Sequence, residues 1–252
     1  MAHTPSLNPL LREIRRAREH GGLTRAGHVV AEGPHLFSEA LASGTRIHAV
    51  IATGEVEAPP GAKLLRVTPR VFAAISGTEA PQGVLALVEP PAWSPSDLLG
   101  ARAALVLALD GVQDPGNAGT LLRAAEAFGA SGVIFLKGSV SPWNEKALRA
   151  SAGSAFRLPL LTGLTPAELL AWQKQTGLQL FGTLAERGQA PARVDLRGPA
   201  LIVIGSEGRG LSDELRACAT GVRIPTQGVE SLNAAMAGAI LLYEAARQRG
   251  HA

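Results

Sequence analysis

Residues 103–130, AALVLALDGVQDPGNAGTLLRAAEAFGA, hold an unbroken apolar run, a glycine-rich loop and a helix-period stretch in that order. An apolar run without alternation reads as a strand buried on both faces, which is the strand of a parallel sheet covered by helices. The same alternation continues downstream. It reads as a strand GVIFL (132–136), helices NEKALRASAG (144–153) and PAELLAWQKQTG (166–177), strands LQLFGTL (178–184) and ALIVIG (200–205), a short helix SDELRACA (212–219) and a last helix ending near Gln248. These elements predict an α/β unit over residues 103–252 with a parallel sheet.

Upstream, residues 7–20 read as a basic amphipathic helix, and VVAEGPHLFSEALASG (29–44) as a short strand, a Gly-Pro turn and a helix stopped by Gly44. IHAVIAT (47–53), KLLRVT (63–68) and GVLALVE (83–89) read as strands and RVFAAISG (70–77) as a helix, so residues 1–90 predict a second, smaller α/β domain. Between the two, EPPAWSPSDLLGAR (89–102) lacks periodicity and is rich in Pro and Ser. We assign residues 91–102 as the linker, with the boundary near Pro95.

Composition narrows the function. The 252 residues are 46% hydrophobic and 18% charged, a globular balance. The single cysteine, Cys218, excludes an internal disulfide framework and a thiolate cluster, and the six histidines show no metal-ligand spacing, so no metal site is expected. No secretory leader and no apolar run near the ~20 residues of a membrane span is present, so a cytoplasmic protein without membrane contact is expected. The formal charge is only +3, but Arg12, Arg15, Arg16, Arg18 and Arg25 face only Glu13 and Glu19 before residue 30. Such a patch is either a solvated helix or a phosphate-binding surface.

In parallel sheets ligands bind beyond the carboxyl ends of the strands. Three loops qualify: DGVQDPGNAG (110–119), GSEGRG (205–210) and IPTQGVESLN (224–233). The first two miss the Gly-x-Gly-x-x-Gly spacing of a dinucleotide site, Ile204 stands where a nucleophile elbow needs its first glycine, and no lysine completes a phosphate loop. The remaining polar residues at loop-helix junctions are Asn117, Arg123, Glu207, Ser231 and Asn233. Each has a plain reading as well: Asn117, Ser231 and Asn233 as helix caps, Arg123 as a partner of Glu126, Glu207 as a turn residue.

Taken together, DPGNAGTLLRAAEAFGA, LIVIGSEGRGL and IPTQGVESLNAAMAGAILLYEA resemble, in order, the three motifs of the SpoU/TrmH family within the SPOUT superfamily of RNA 2′-O-ribose methyltransferases. PWNEKALRASAGSAFRLP matches the intervening segment of that family, and AEGPHLFSEAL with ISGTEAPQGVLALVEP resembles the substrate-binding domain of members acting on ribosomal RNA. The resemblance covers nearly the whole chain. One departure is a loop from Ile224 to Ser231 that is one residue shorter than the usual pattern.

The resemblance implies a C-terminal SPOUT domain with a deep trefoil knot that binds S-adenosylmethionine, an RNA partner and a homodimer formed through the last helix, where Leu232, Met236, Ile240 and Tyr243 recur near helical spacing. Carried over by position, cofactor contacts fall on Thr183, Gly205, Ile224 and Leu232. Arg123 falls in the catalytic role, as the general base or as a charged clamp on the target phosphate. Asn117 orients Arg123 or the ribose, Glu207 orders the motif loops, and Ser231 with Asn233 shapes the target site. A base role is demanding, because a free guanidinium titrates above pH ~12. The implied activity is methyl transfer from S-adenosylmethionine to a ribose 2′-hydroxyl, in ribosomal RNA ahead of transfer RNA. The other readings are a noncatalytic RNA-binding protein and a resistance factor protecting a ribosomal site.

Overall fold

A computed structural model of the chain describes residues 8–100, 103–184 and 188–250. The outer ends of both expected domains, residue 7 of the first expected helix and residues 101–102 of the expected linker lie outside these.

The N-terminal unit opens with α1 (Pro9–Glu19), started by Pro9 and by Asn8, whose side chain accepts the Leu10 N–H at 3.0 Å. Leu11, Ile14 and Ala17 form its buried stripe, which leaves Arg12, Arg15 and Arg16 exposed. Then follow β1 (Val29–Glu32), α2 (Pro34–Ala42), β2 (Ile47–Ala52), β3 (Lys63–Arg66), α3 (Pro69–Ala73) and β4 (Val84–Val88). The four strands pair in the order β1-β4-β2-β3, with β4 antiparallel to both neighbours and β3 parallel to β2. Helix α3 stops short of the expected residue 77. The Gly77 N–H donates to a Glu32 carboxylate oxygen at 2.9 Å and the Ser76 hydroxyl donates to the other oxygen, so this stretch bonds to β1 instead of winding on.

The expected linker is not a free tether. Residues Asp97–Leu99 form a 3-10 turn, Leu98 is fully buried in the second unit's core, and the Ser131 hydroxyl donates to its carbonyl at 2.6 Å. An apolar side chain in a stretch without periodicity still finds the core.

The second unit holds β5 (Leu105–Asp110), α4 (Pro115–Ala127), β6 (Gly132–Leu136), α5 (Glu145–Ser151), α6 (Ser154–Arg157), β7 (Leu160–Leu164), α7 (Pro166–Thr176), β8 (Gln179–Thr183), β9 (Ala200–Gly205), α8 (Asp213–Cys218), β10 (Thr220–Val222) and α9 (Ala234–Gln248). Its six strands are all parallel, in the order β10-β8-β9-β5-β6-β7. Strand β5 shows why its sequence lacks alternation: Leu105, Leu107 and Leu109 enter one apolar cluster, Val106 and Ala108 the other. Helices α4 and α9 pack together on the first face, and α7 and α8 on the second. The first cluster runs on without a break into the N-terminal unit, joining Trp143, Leu148 and Phe156 to Val29, Leu36 and Ala40.

Register places the site. Asp110 at the end of β5 pairs with Gly205 at the end of β9, and Val222 at the end of β10 pairs with Thr183 at the end of β8. The chain leaves β5 toward β6 on one side and leaves β9 toward β10 on the other. This is a topological switch point, so the loops after β5 and β9 start side by side at the carboxyl end of the sheet.

Candidate active site

Helix α4 begins five residues after β5. Pro115 occupies its first turn and Asp114 caps it, accepting the Asn117 N–H at 2.7 Å. That bond is the main reason the Asp114 carboxyl is held below its ordinary range, with desolvation opposing it and Lys146, 3.6 Å away, helping. Because Asp114 is the cap, the Asn117 side chain is released from that duty. Its amide nitrogen donates to a Glu207 carboxylate oxygen at 2.7 Å, and its oxygen accepts from the Asn233 amide at 2.9 Å.

The amide orientations follow from the donors around them. The Asn233 side chain caps α9, where its oxygen accepts the N–H groups of Ala235 at 2.9 Å and Met236 at 3.3 Å. Its nitrogen must then face Asn117, whose nitrogen must face the carboxylate. One residue from each of the three loops thus joins a single directed chain, Asn233 to Asn117 to Glu207.

Glu207 sits at the tip of a tight lobe after β9. Ser206 and Gly210 exchange backbone hydrogen bonds of 3.0 and 2.9 Å, and Gly210 has φ +68°, a conformation that favours glycine. A Cβ at Gly205 would overlap the Gly210 backbone, so the lobe can fold onto the strand end only with glycine there. Beside it lies a cavity of about 760 Å³. Thr183, Gly205, Ile224 and Leu232 all line it, as do Glu207 and Ser231. Its apolar wall comes from Leu184, Ile204, Leu211 and Val222. In the shortened loop the Thr226 hydroxyl donates to the Val229 carbonyl at 2.8 Å and closes a turn.

Arg123 stands apart. It is exposed on α4, does not line the cavity, and makes no hydrogen bond or ion pair among the described residues. Its expected alternative partner Glu126 is taken by Arg157, with contacts of 2.6 and 2.8 Å that hold the Glu126 carboxyl below its ordinary range. Sequence reading missed Arg209, Arg216, Arg223 and Glu230, which also line the cavity. Arg209 and Arg223 sit inside or beside the recognised motifs, but Arg216 lies on α8, which reads only as a short amphipathic helix. No cluster of three or more His, Cys, Asp or Glu suited to a metal occurs among the described residues, and none of their helices is long and apolar enough to cross a membrane.

The arrangement offers a concave, partly apolar chamber of the size that takes a nucleoside-like molecule, with a polar chain at its rim. Comparison with known proteins gives the same picture. Residues 104–243 match the family model described as the SpoU rRNA Methylase family, and residues 8–86 match the MRM3-like substrate binding domain. The chain is 34% identical over 236 residues to the 23S rRNA (guanosine-2′-O-)-methyltransferase RlmB of Ralstonia nicotianae, covering 91% of this chain and 94% of that one. The crystal structure of the SpoU methyltransferase AviRb from Streptomyces viridochromogenes in complex with AdoMet superposes with a TM-score of 0.83 at 30% identity, covering 96% of this chain and 98% of that one. The A. aeolicus TrmH/SpoU tRNA modifying enzyme matches less, with a TM-score of 0.53 at 25% identity over 62% of this chain and 81% of that one.

Proposed function

The chain belongs to the SpoU rRNA methylase family, and on that premise we propose that it transfers a methyl group from S-adenosylmethionine to a ribose 2′-hydroxyl of ribosomal RNA. The observation that carries this reading is the Asn233–Asn117–Glu207 chain at the rim of a cavity that Glu207 itself lines. Ribosomal RNA is favoured over transfer RNA because the rRNA-acting relative covers both units of the chain, whereas the tRNA-modifying neighbour covers 62% of it.

When bound, S-adenosylmethionine supplies a methyl group activated by its sulfonium. Thr183, Gly205, Ile224 and Leu232 would hold it, the glycine lobe letting backbone come close beside the apolar wall. Bound there, it would supply its methyl group to the ribose oxygen and leave as S-adenosylhomocysteine, with the hydroxyl proton passing to solvent. Positioning supplies much of the rate in such an in-line transfer. Glu207, fixed through Asn117, holds the lobe, while Ser231 and Asn233 shape the target side. Arg123 acts on the target nucleotide. Its exposed place on α4 favours a charged clamp on phosphate over a general base, which would need desolvation of the guanidinium.

The chain works as a homodimer in this reading. Met236, Ile240 and Tyr243 are 56%, 37% and 48% exposed along one side of α9, and Tyr243 meets Phe128, which caps the end of α4, edge-on, so a second copy would cover an apolar ridge beside the helix that carries Arg123. Sedimentation of a monomer at micromolar concentration would refute it. In this reading the backbone carries the deep trefoil knot, a path supported by the 206–211 lobe and by Ile224 and residues 230–232 lining one cavity. Arg12, Arg15 and Arg16 contact RNA phosphates, and the cytoplasm is where such RNA is met.

The test is transfer of labelled methyl to ribosomal and transfer RNA by the wild type and Arg123→Ala. Label at a ribose of ribosomal RNA, reduced about a hundredfold or more in the variant, is expected, the scale of losing one charged group that stabilises a transition state. Label in transfer RNA alone would overturn the target, and no transfer to any RNA despite cofactor binding would favour a noncatalytic RNA-binding protein.

A further inference from the structure

The lobe that carries Glu207 contains Gly208 and Gly210, so its backbone has little intrinsic stiffness. Its inner leg is held by the Ser206–Gly210 exchange and by Gly205 packing against Gly210. Its outer leg is held from a distance. The Ser212 N–H donates to the buried Asp110 carboxylate at 2.6 Å, and one amino group of Arg216 donates to two carbonyls, Arg209 at 3.1 Å and Leu211 at 2.8 Å. Those carbonyls lie on either side of Gly210, the one lobe residue at positive φ among the described residues.

We infer that Arg216 is a positioning residue for the cofactor cavity, its guanidinium clamping the peptides around Gly210 so that the lobe is formed before S-adenosylmethionine arrives. The inference rests on the cavity being the cofactor site. Both bonds have a charged donor, the stronger kind of hydrogen bond. The alternative explanation of Arg216, its ion pair with Asp213, is weak: that contact is 3.7 Å long and Asp213 is 99% exposed. Arg216 also lines the cavity, so the clamp stands in the wall of the site it shapes. A lobe left to order itself on binding would subtract that ordering from cofactor affinity.

The experiment is calorimetric binding of S-adenosylhomocysteine to the wild type, Arg216→Met, Arg216→Lys and Asp213→Ala. Amide exchange of residues 206–211 in the free proteins and the kinetic constants for cofactor and RNA are measured alongside. Arg216→Met keeps the length of the side chain without its donors. It should weaken binding about tenfold, the scale of fixing about one backbone residue on binding once both bonds are lost. It should also speed exchange in the lobe and raise KM for the cofactor, leaving kcat at saturating cofactor and KM for RNA within about twofold. Arg216→Lys should recover part of the affinity, and Asp213→Ala should bind as the wild type does. Wild-type affinity and exchange in a folded Arg216→Met would overturn the clamp alone, as would a general loss of melting temperature and kcat that lysine does not mend. Failure of the wild type to bind would overturn the reading of the cavity, and the clamp with it.

Discussion

At the seam between the two sheets and at the rim of the cavity, polar side chains from distant segments are tied together, but the surroundings differ. At the seam Arg18 of α1 lies 2.7 Å from Glu32 of β1 and 2.8 Å from Glu145 of α5, with side-chain exposures of 13%, 3% and 14%. Glu32 also accepts from the Ser76 hydroxyl and the Gly77 N–H, so its buried charge is fully engaged. Glu145 is served less well: Arg18 is close, yet no hydrogen bond of proper angle joins them, and burial pushes its carboxyl above the ordinary range. At the rim, Asn117, Glu207 and Asn233 are bonded at a surface where water can replace any of them. A buried network holds structure because its members have no alternative partner, and an exposed one can arrange a site without carrying the fold.

The sharpest way to break this contrast is Glu32→Ala. It leaves Arg18 with only the poorly angled Glu145 and strands the Gly77 N–H, so a loss of about 3–5 kcal/mol is expected. By thermal unfolding that is a fall on the order of 10 °C. Asn117→Ala should do the reverse. It removes two exposed hydrogen bonds, lowering stability by about 1 kcal/mol or less, while methyl transfer falls about tenfold or more because Glu207 and Asn233 lose their common partner. If Asn117→Ala melted as early as Glu32→Ala, or methylated RNA at the wild-type rate, the rim would not be the kind of network described.

The same contrast explains what the sequence discloses. Strands β5, β6 and β9 are buried on both faces, and their unbroken apolar runs announce it. The two edge strands of the six-stranded sheet escape notice: β7 (LLTGL) has Thr162 and Gly163 exposed, and β10 has three residues, so neither shows the unbroken apolar run of the central strands. The seam is equally silent, because Glu32, Ser76 and Glu145 are ordinary residues until the two sheets meet. The rim is the more legible region, since Asn117, Glu207 and Asn233 each fall in one of the three motifs, and the three motifs meet at Asn117. Arg123 is legible as a motif residue, but its partner is not supplied by this chain's described contacts. Arg216 is invisible in the sequence, because a side chain that holds two carbonyls leaves no pattern in the residues it holds.

The smallest effect expected separates two ion clusters within the seam itself. Glu126 is held below its ordinary carboxylate range by hydrogen bonds from Arg157, which also pairs with Glu39 of α2. A depressed folded pKa gives stability that is present above the unfolded value and lost as pH falls through the folded one. Glu145 runs the other way: its folded pKa is raised, first by burial, so its contribution is present below the unfolded value and lost as pH rises through the raised one. Glu126→Gln should therefore destabilise at neutral pH, with the difference from wild type closing on acidification. Glu145→Gln, which puts a neutral amide where the charge is disfavoured, should be at least as stable as wild type at neutral pH and lose that advantage toward acid. Denaturant titrations at several pH values from about 4 upward would show the two difference curves with opposite slopes. Parallel slopes would mean that Glu145 is as well paired as Glu126, and that the seam's two clusters are one kind of lock.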